Sequence, residues 1–260
     1  MCLILFSYRH HPDYPLILAA NRDEFHARPT APLDFWTDDP AILAGRDLKG
    51  GGTWMGISRS GRFAALTNYR DPASLRPDAA SRGRLAADFL KGGAPARPYL
   101  ERLQRTASGY NGFNLLVMDA AGLYHYSNRG VGVSPVKPGI HGLGNALLDT
   151  PWPKVERGKA ALEKALSGGE PDPESLLNLL QDQTRAPDPQ LPDTGVGLDR
   201  ERMLSPMFID SDGYGTRTSS VVIMDRQGGV VFWERTFPTG GTEAPSTRRF
   251  SLQTAVSNGL

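Results

Sequence analysis

The stretch MCLILFSYRHHPDYPLILAANRDE, residues 1–24, says most about the fold. Two short apolar runs, at 2–7 and 16–20, flank the turn-rich link HHPDYP, which contains two prolines. Apolar runs of this length on either side of such a link predict a β-hairpin. The second run continues directly into the tetrapeptide NRDE, residues 21–24, so the hairpin places polar side chains at the end of its second strand.

Cys2 begins this hairpin and is the only cysteine in the 260-residue chain. One interpretation is a small buried hydrophobe at the start of a strand. The other is that Met1 is removed and Cys2 becomes an N-terminal nucleophile, with its own α-amine as the base. Because the amine and the thiol have reference pKa values of about 7.7–8.0 and about 8.5, a proton can pass between them near neutral pH.

Composition excludes several classes of protein. Lys and Arg (29 together) nearly balance Asp and Glu (28 together), and no block of like charge indicates a nucleic-acid partner. The apolar start is shorter than the roughly 7–15 residues of a signal sequence, and no stretch approaches the roughly 20 needed to span a bilayer. A lone cysteine excludes an internal disulfide framework. We therefore expect a cytoplasmic protein with no membrane span, of unspecified oligomeric state.

The rest of the chain has the pattern of a mixed α+β protein. Strands are predicted at about 50–58 and at 61–70, 113–119, 122–127, 218–225 and 229–237, and helices at 81–91, 97–107, 153–166 and 173–183. Residues 184–202 are predicted to form a long surface loop or a lid, and 238–260 a tail in which only FSLQ is ordered. The run Gly50-Gly51-Gly52 lacks the Lys-Ser/Thr of a phosphate loop and predicts close approach of backbone to backbone.

Four polar residues lie next to predicted strands, where a β-rich fold can bring them together: Asp23, Asn68, Asn145 and Arg217. A carboxylate can hold an amine in place, and an asparagine amide can donate to a developing oxyanion. The alternative is that Asp23 and the asparagines form turns and that Arg217 is exposed on a bend. The five histidines show no metal-ligand spacing, so no metal site is expected.

Beyond these residues, an ordered set of motifs resembles a known family. The start MCLILF is followed by NRDE, GGTWMGIS (51–58), TNYR (67–70), PWPKVERGK (151–159) and YGTRTSS (214–220). Together they resemble the NRDE family, also called the Transport and Golgi organisation family, over nearly the whole chain. That family is similar to N-terminal-nucleophile hydrolases of the choloylglycine hydrolase and penicillin V acylase kind. The resemblance implies that residues 1–260 form one domain, an αββα sandwich of that type.

The resemblance also implies roles for individual residues. It matches Cys2 to the nucleophile, Asp23 to the carboxylate near the α-amine, Asn68 to an oxyanion-hole asparagine, Asn145 to a second asparagine that contacts amine or substrate, and Arg217 to an active-site arginine. Those hydrolases carry an arginine where this chain has Ala20, and Arg22 lies two positions further along the same strand face. Substrate contacts are expected from Arg22, Glu24, Trp54 and Tyr69.

Two functions of different classes follow from the resemblance. The first is a hydrolase that cleaves a non-peptide amide or related acyl bond through a Cys2 acyl-thioester and requires no cofactor. The second is a non-catalytic binding or trafficking protein that uses the same cleft for haem or an acyl ligand. Ala20 favours the carrier, whereas the five retained site residues favour the hydrolase. A purely structural or interaction role is a third alternative.

Overall fold

A computed structural model of the protein describes residues 2–238 and 244–255. Within these ranges the strands are β1 (Cys2–Tyr8), β2 (Leu16–Phe25), β3 (Thr30–Trp36), β4 (Asp39–Asp47), β5 (Met55–Ser58), β6 (Phe63–Asn68), β7 (Phe113–Asp119), β8 (Gly122–Ser127), β9 (Ser134–Pro135), β10 (Gly139–Leu143), β11 (Asp210–Ser211), β12 (Tyr214–Met224), β13 (Gly229–Thr236) and β14 (Ser246–Gln253). The α-helices are α1 (Gly83–Lys91), α2 (Ala96–Gln104), α3 (Pro153–Leu166), α4 (Pro173–Leu179) and α5 (Leu198–Met203).

The strands form two antiparallel sheets of seven strands each. The first sheet has the order β10-β1-β2-β12-β13-β14, with β11 paired to β12. The second runs β3-β4-β5-β6-β7-β8-β9. In the first sheet β2 lies between β1, its hairpin partner, and β12, which comes from the far end of the chain. The hairpin predicted from residues 1–24 is therefore at the centre of the first sheet.

Both faces of the first sheet are buried, because the second sheet covers one face and helices cover the other. Ile4 and Phe6 of β1 pack between the two sheets with Leu43 and Phe63 of the second sheet. Leu3 and Leu5 alternate with them and pack outward. This alternation explains why β1 has apolar residues at nearly every position.

The outer faces of the two sheets carry the helices. Val155 and Leu162 of α3 and Leu176 and Leu177 of α4 pack on the outer face of the first sheet. On the second sheet the covering helices are α1 and α2, which contribute apolar residues including Phe89 and Leu100. The layers follow the order helix, sheet, sheet, helix, and the αββα architecture expected from the resemblance is confirmed.

Several predicted boundaries differ from the structure. Strands β3 and β4 were not expected, because residues 30–47 mix Pro, Asp and apolar residues and bury only part of each strand. Residues 184–202 hold a 3-10 turn at Asp188–Gln190 and most of α5 instead of one continuous loop. The ordered part of the tail is wider than FSLQ, since β14 spans Ser246–Gln253. The rest of that predicted tail, at 239–243 and 256–260, lies outside the described residues, as does Met1 and with it the expectation that Met1 is removed.

The glycine run forms the expected close approach between backbones. A Cβ on Gly52 would lie 2.3 Å from the carbonyl carbon of Gly83, at the start of α1. The adjacent Thr53 N–H donates to the Gly83 carbonyl at 3.1 Å. Only a residue without a side chain fits at position 52, so the loop fixes α1 against the strand that follows. In the described part of the chain, no helix combines the length and apolarity needed to cross a membrane.

Candidate functional site

A cleft opens at the end of the sheet interface where β1 begins and β2 ends. Along β1 the inward-facing residues change from Phe6 and Ile4 to Cys2, and along β2 from Ala20 to Arg22. Cys2 and Arg22 are direct partners in the antiparallel register. The cleft has a volume of about 720 Å³. It is lined by the predicted site residues Cys2, Arg22, Asp23, Glu24, Trp54, Asn68 and Arg217.

The Cys2 side chain is only 7% exposed at the base of this cleft. Burial raises the pKa of its thiol above the ordinary value, and the nearby charge of Asp23 raises it further. The charge of Arg22 and a hydrogen bond from the Asp23 backbone N–H act in the opposite direction. The resting thiol is therefore protonated at neutral pH and needs a base to become a nucleophile.

Asp23 is completely buried beside Cys2 and held by a short chain of hydrogen bonds. Its Oδ1 accepts from Thr216 Oγ1 at 2.7 Å, and that hydroxyl accepts from the Ile209 N–H at 2.9 Å. Burial raises the pKa of the Asp23 carboxyl, whereas the charge of Lys154 opposes the rise, as does the Thr216 hydrogen bond. The carboxylate thus has a fixed orientation and depends on neighbouring charge to stay ionised.

The two predicted asparagines lie together at the other side of the cleft, where β6 ends. Asn145 is completely buried, and its Nδ2 donates to the Asn68 carbonyl at 2.9 Å. The Asn145 carbonyl in turn accepts from the Arg70 N–H at 2.7 Å. Among the described residues, Asn145 Oδ1 has no hydrogen-bond partner. Asn145 lies behind Asn68 and does not border the cleft, so it positions the chain that carries the Asn68 side chain.

Arg217 borders the cleft from a β-bulge in β12, where the register with β2 shifts between Thr216 and Thr218. Its Nη1 donates to the carbonyls of Phe25, His26 and Arg28 at 3.1–3.2 Å. One nitrogen of the guanidinium therefore holds the turn after β2 by hydrogen bonds. Tyr69, which was expected to contact substrate, is not among the described residues that line the cleft.

The cleft is lined by more basic than acidic residues. Its basic residues are Arg22, Arg28, Arg46, Lys49, Arg82, Arg217 and Arg248, and its acidic residues are Asp23, Glu24, Asp47 and Glu234. Part of this charge is paired: Arg28 donates to both carboxylate oxygens of Asp47, at 3.2 and 2.6 Å. Because clefts lined mainly by one sign of charge attract the opposite sign, this cleft favours an anionic ligand.

Arg82 and Glu234 are two of the charged cleft residues that were not predicted from the sequence. Arg82 donates from Nη1 to the Gly112 carbonyl at 2.9 Å, and burial lowers its pKa although the Cys2 and Glu24 charges oppose this. Glu234 is buried, accepts the Leu33 N–H at 2.6 Å, and has a pKa raised by burial to about 7. The residues around Arg82 and Glu234 have the pattern of an ordinary helix and strand, in which charged residues normally face solvent. No sequence signal therefore distinguishes these two residues from surface charges.

A second group of charges missed by the sequence interpretation lies behind the cleft, under the helices. Arg70 Nη1 and Glu201 Oε2 form an ion pair at 2.5 Å, with side chains only 5% and 4% exposed. Glu201 also accepts from the N–H and the hydroxyl of Thr194, at 3.0 and 2.5 Å. Lys154, on α3, is 2% exposed. The segment 184–202 is thus tied to the TNYR motif, and none of its residues borders the cleft.

The chain is similar in sequence to a known family and to several of its members. The family model described as Transport and Golgi organisation 2 matches residues 1–239. The human Transport and Golgi organization protein 2 homolog is 40% identical over 278 residues, which cover 97% of this chain and 100% of that protein. The Drosophila melanogaster Transport and Golgi organization protein 2 is 32% identical over 266 residues, covering 91% of this chain and 92% of that protein.

Two solved structures are also similar. One is a Caenorhabditis elegans ortholog of N-acylethanolamine-hydrolyzing acid amidase, with a TM-score of 0.45 and 12% identity, covering 85% of this chain and 92% of that one. The other is the C2A mutant of the conjugated bile acid hydrolase from Clostridium perfringens, with a TM-score of 0.43 and 9% identity, covering 99% of both chains.

Proposed function

Since the chain belongs to the Transport and Golgi organisation 2 family, and its cleft gathers a nucleophile, a carboxylate and an amide donor, we propose that it acts as an N-terminal-cysteine hydrolase. The bond cleaved is a non-peptide amide or a related acyl bond. The observation that carries the proposal is the position of Cys2 at the base of the cleft, hydrogen-bonded by the backbone of the buried Asp23, with Asn68 in the opposite wall.

The proposed reaction begins once Met1 has been removed. The α-amine of Cys2 takes the thiol proton, and Sγ attacks the carbonyl carbon of the substrate. Asp23 holds the amine in place while the Asn68 side chain donates to the oxyanion. The C–N bond then breaks, and the leaving amine receives the proton from the α-amine. Water attacks the thioester, releasing a carboxylic acid and returning the proton to the thiol.

Charge in the cleft supports an anionic substrate. Arg22 lies directly opposite Cys2 in the strand pairing, and Arg82, which directly precedes α1, borders the same cleft. Arg217 contributes a further cation, although its Nη1 already donates to the turn after β2. A carboxylate or phosphate on the substrate would meet guanidinium groups within one cleft, and these groups recognise such anions by paired hydrogen bonds.

The alternative is a carrier on the same fold. A raised thiol pKa and a 7% exposed Cys2 would suit a protein that binds an acyl ligand without reacting with it. Haem fits this cleft poorly. Among the described residues no histidine borders the cleft, Cys2 is the only soft axial donor there, and the lining includes seven basic and four acidic residues. An anionic acyl ligand therefore matches the lining better than haem does.

The experiment is intact-mass analysis of the wild type and the Cys2→Ala variant after incubation with acyl amides and thioesters. The probes come in matched pairs, with and without a carboxylate or phosphate. Loss of Met1 together with an acyl adduct on the wild type alone, formed faster from anionic probes, is expected. Alanine is also small enough for Met1 removal, so Cys2→Ala tests the thiol and not the trimming.

Two outcomes contradict the proposal. Retention of Met1 excludes the α-amine as base, because the amine is then part of a peptide bond. A trimmed protein that binds the anionic probes reversibly but forms no adduct and releases no product excludes the hydrolase, and supports the carrier. Titration of the same samples with haem, followed by absorbance, tests the haem form of the carrier.

A further inference from the structure

Lys154 is a buried lysine that the proposed reaction does not use. It lies in the first turn of α3, is 2% exposed, and donates from Nζ to the Leu204 carbonyl at 3.0 Å. Val155, next to it in the helix, and Leu162, two turns further along, face the apolar core. Lysine is almost never fully buried without a partner, because removing an ammonium group from water is costly. One carbonyl does not supply an opposite charge.

The position of α3 places Lys154 at the Cys2 end of the first sheet. The Val155 side chain lies where Cβ atoms on Gly142 and Gly144 would be, at 2.6 and 3.4 Å. Gly142 pairs with Leu5 of β1 near the end of β10, and Gly144 directly follows that strand. A turn further along the helix, a Cβ on Gly158 would contact Leu5. The helix thus begins over the start of β1 and runs away from it.

Asp23 faces the same layer from the sheet below. It shares its strand face with Asn21, two residues earlier, and Asn21 donates to the Met207 carbonyl at 2.9 Å. The segment 204–209 therefore contacts both groups: its Leu204 carbonyl accepts from Lys154, and its Ile209 N–H donates to the hydroxyl that binds Asp23. Lys154 and Asp23 are therefore both buried next to one short segment, which binds Lys154 directly and Asp23 through the Thr216 hydroxyl.

The remaining charges near Lys154 are already matched. The groups that act on its ammonium are Asp23, Arg70, Cys2 and Glu201. Arg70 and Glu201 form their own buried ion pair at 2.5 Å, so their charges largely cancel. Cys2 is a neutral thiol at rest, because burial raises its pKa. Asp23 is therefore the carboxylate near Lys154 that Arg70 does not neutralise, and the charge of Lys154 acts on Asp23 together with that of Arg22.

We propose that Lys154 is a positioning residue of the Cys2 site, whose ammonium group is a buried counter-ion of Asp23 and, together with Arg22, keeps that carboxylate charged. This role rests on the proposed function, in which a charged Asp23 holds the α-amine of Cys2. Lys154 touches neither substrate nor thiol; it acts only through Asp23. An uncharged Asp23 could still accept a hydrogen bond from the amine but would attract its ammonium form far more weakly.

The experiment follows the titration of the Asp23 carboxyl by carbon-13 NMR of protein labelled at aspartate carboxyl carbons, with Asp23→Asn identifying the signal. In Lys154→Met the midpoint is expected to rise by about 1–3 pH units, the range typical of losing a nearby opposite charge. Lys154→Arg keeps the cation and is the matched control, with a midpoint close to that of the wild type. An unchanged midpoint in a folded Lys154→Met protein overturns the proposal and leaves only a structural role.

If Lys154→Met does not fold, the same coupling is measured from the other side. The Lys154 ammonium is titrated by nitrogen-15 NMR in wild type and in Asp23→Asn. If Lys154 lowers the titration midpoint of Asp23, linkage requires that Asp23 raises the midpoint of Lys154 by the same amount. The Lys154 midpoint is therefore expected to fall by that amount in Asp23→Asn. An equal midpoint in both proteins overturns the proposal. Neither titration needs a substrate, so failure of the adduct experiment leaves this result independent of the proposed hydrolysis.

Discussion

At the scale of single residues, the two asparagines of the site have different roles. Asn68 borders the cleft, whereas Asn145 is buried behind it and fixes the Asn68 carbonyl by a 2.9 Å hydrogen bond. The resemblance matched both to the active site, and the geometry separates a side chain that can reach a substrate from one that holds it in position. Replacing Asn68 and replacing Asn145 are therefore expected to have different consequences.

Replacing Asn68 with alanine should reduce the acylation rate by about 100- to 1,000-fold, the usual effect of removing one oxyanion donor. Asn68 is at the end of β6, so the strand itself should remain intact. The measurement is the rate of adduct formation on Cys2 with the best anionic probe. Tyr69→Phe is the matched control, since Tyr69 does not line the cleft. Full activity in Asn68→Ala would remove Asn68 from the mechanism.

Sequence reasoning reached the residues at strand ends but missed charges inside regular elements. Cys2, Asp23 and Asn68 could be proposed because each occupies the end of a recognisable strand. Arg82, Glu234 and Lys154 could not, because a charged residue within a helix or strand pattern is normally solvent-facing. Their burial results from the packing of sheet on sheet and of helix on sheet, which no local pattern specifies.

At the scale of secondary-structure elements, the buried Arg70–Glu201 pair connects β6 to α5. The segment 184–202 is rich in Pro, Asp and Gly and was expected to be a surface loop or lid, yet Glu201, which also binds Thr194 within the segment, ties it to Arg70. The ion pair joins residues 131 positions apart in sequence. Composition predicted the irregular backbone but not its attachment, because that attachment depends on contacts with residues distant in sequence, including the Arg70–Glu201 pair and the hydrogen bond from Arg157 to the Thr184 carbonyl.

Glu201→Gln should lower the free energy of unfolding by about 3–5 kcal/mol, because it leaves the Arg70 charge buried without its counter-charge. Urea unfolding followed by circular dichroism measures the change. Glu101→Gln is the matched control: it breaks the ion pair with Arg97, whose side chains are 48% and 63% exposed, and should cost only about 0.3–0.5 kcal/mol. Equal losses in the two variants would show that the buried pair contributes no more than a surface one.

The burial and composition of β3 and β4 explain why neither strand was predicted. Each strand is buried over only part of its length, β4 at 42–45 and β3 at Leu33 and Trp36, and β3, the edge strand of its sheet, contains Pro32. Edge strands tolerate proline and polar residues, since they need to pair on one side only. The central hairpin of β1 and β2, buried on both faces, was predicted well for the opposite reason.

At the scale of the whole molecule, two buried titratable groups make stability depend on pH. Glu234 lies between the sheets with a pKa raised from 4.5 to about 7. Between these values the folded protein binds more protons than the unfolded chain, so the free energy of unfolding falls as pH rises. Burial lowers the pKa of Lys154 from 10.5 to about 8. Above pH 8 the folded protein therefore binds fewer protons, and this group makes stability rise with pH.

Glu234→Gln should remove the first of these effects while preserving an oxygen that accepts the Leu33 N–H. Relative to wild type, the variant is expected to gain stability progressively from pH 4.5 to 7, by on the order of 3 kcal/mol, and to keep a constant difference above pH 7. Urea unfolding at several pH values measures it, with Glu101→Gln as the exposed control. Parallel stability profiles for wild type and Glu234→Gln would refute the assignment.

The central position of β2 also determines when the site is completed during synthesis. Asp23 accepts its hydrogen bond from Thr216, 193 residues later, and β12 is the neighbour that closes the sheet. At ribosomal rates of about 5–20 residues per second, some 10–40 seconds separate the appearance of the two residues. Through that interval the nascent chain carries an unshielded thiol and an open sheet edge, both accessible to processing enzymes, oxidants and chaperones. Cys2 and Asp23 are thus translated well before Thr216, which completes the surroundings of Asp23.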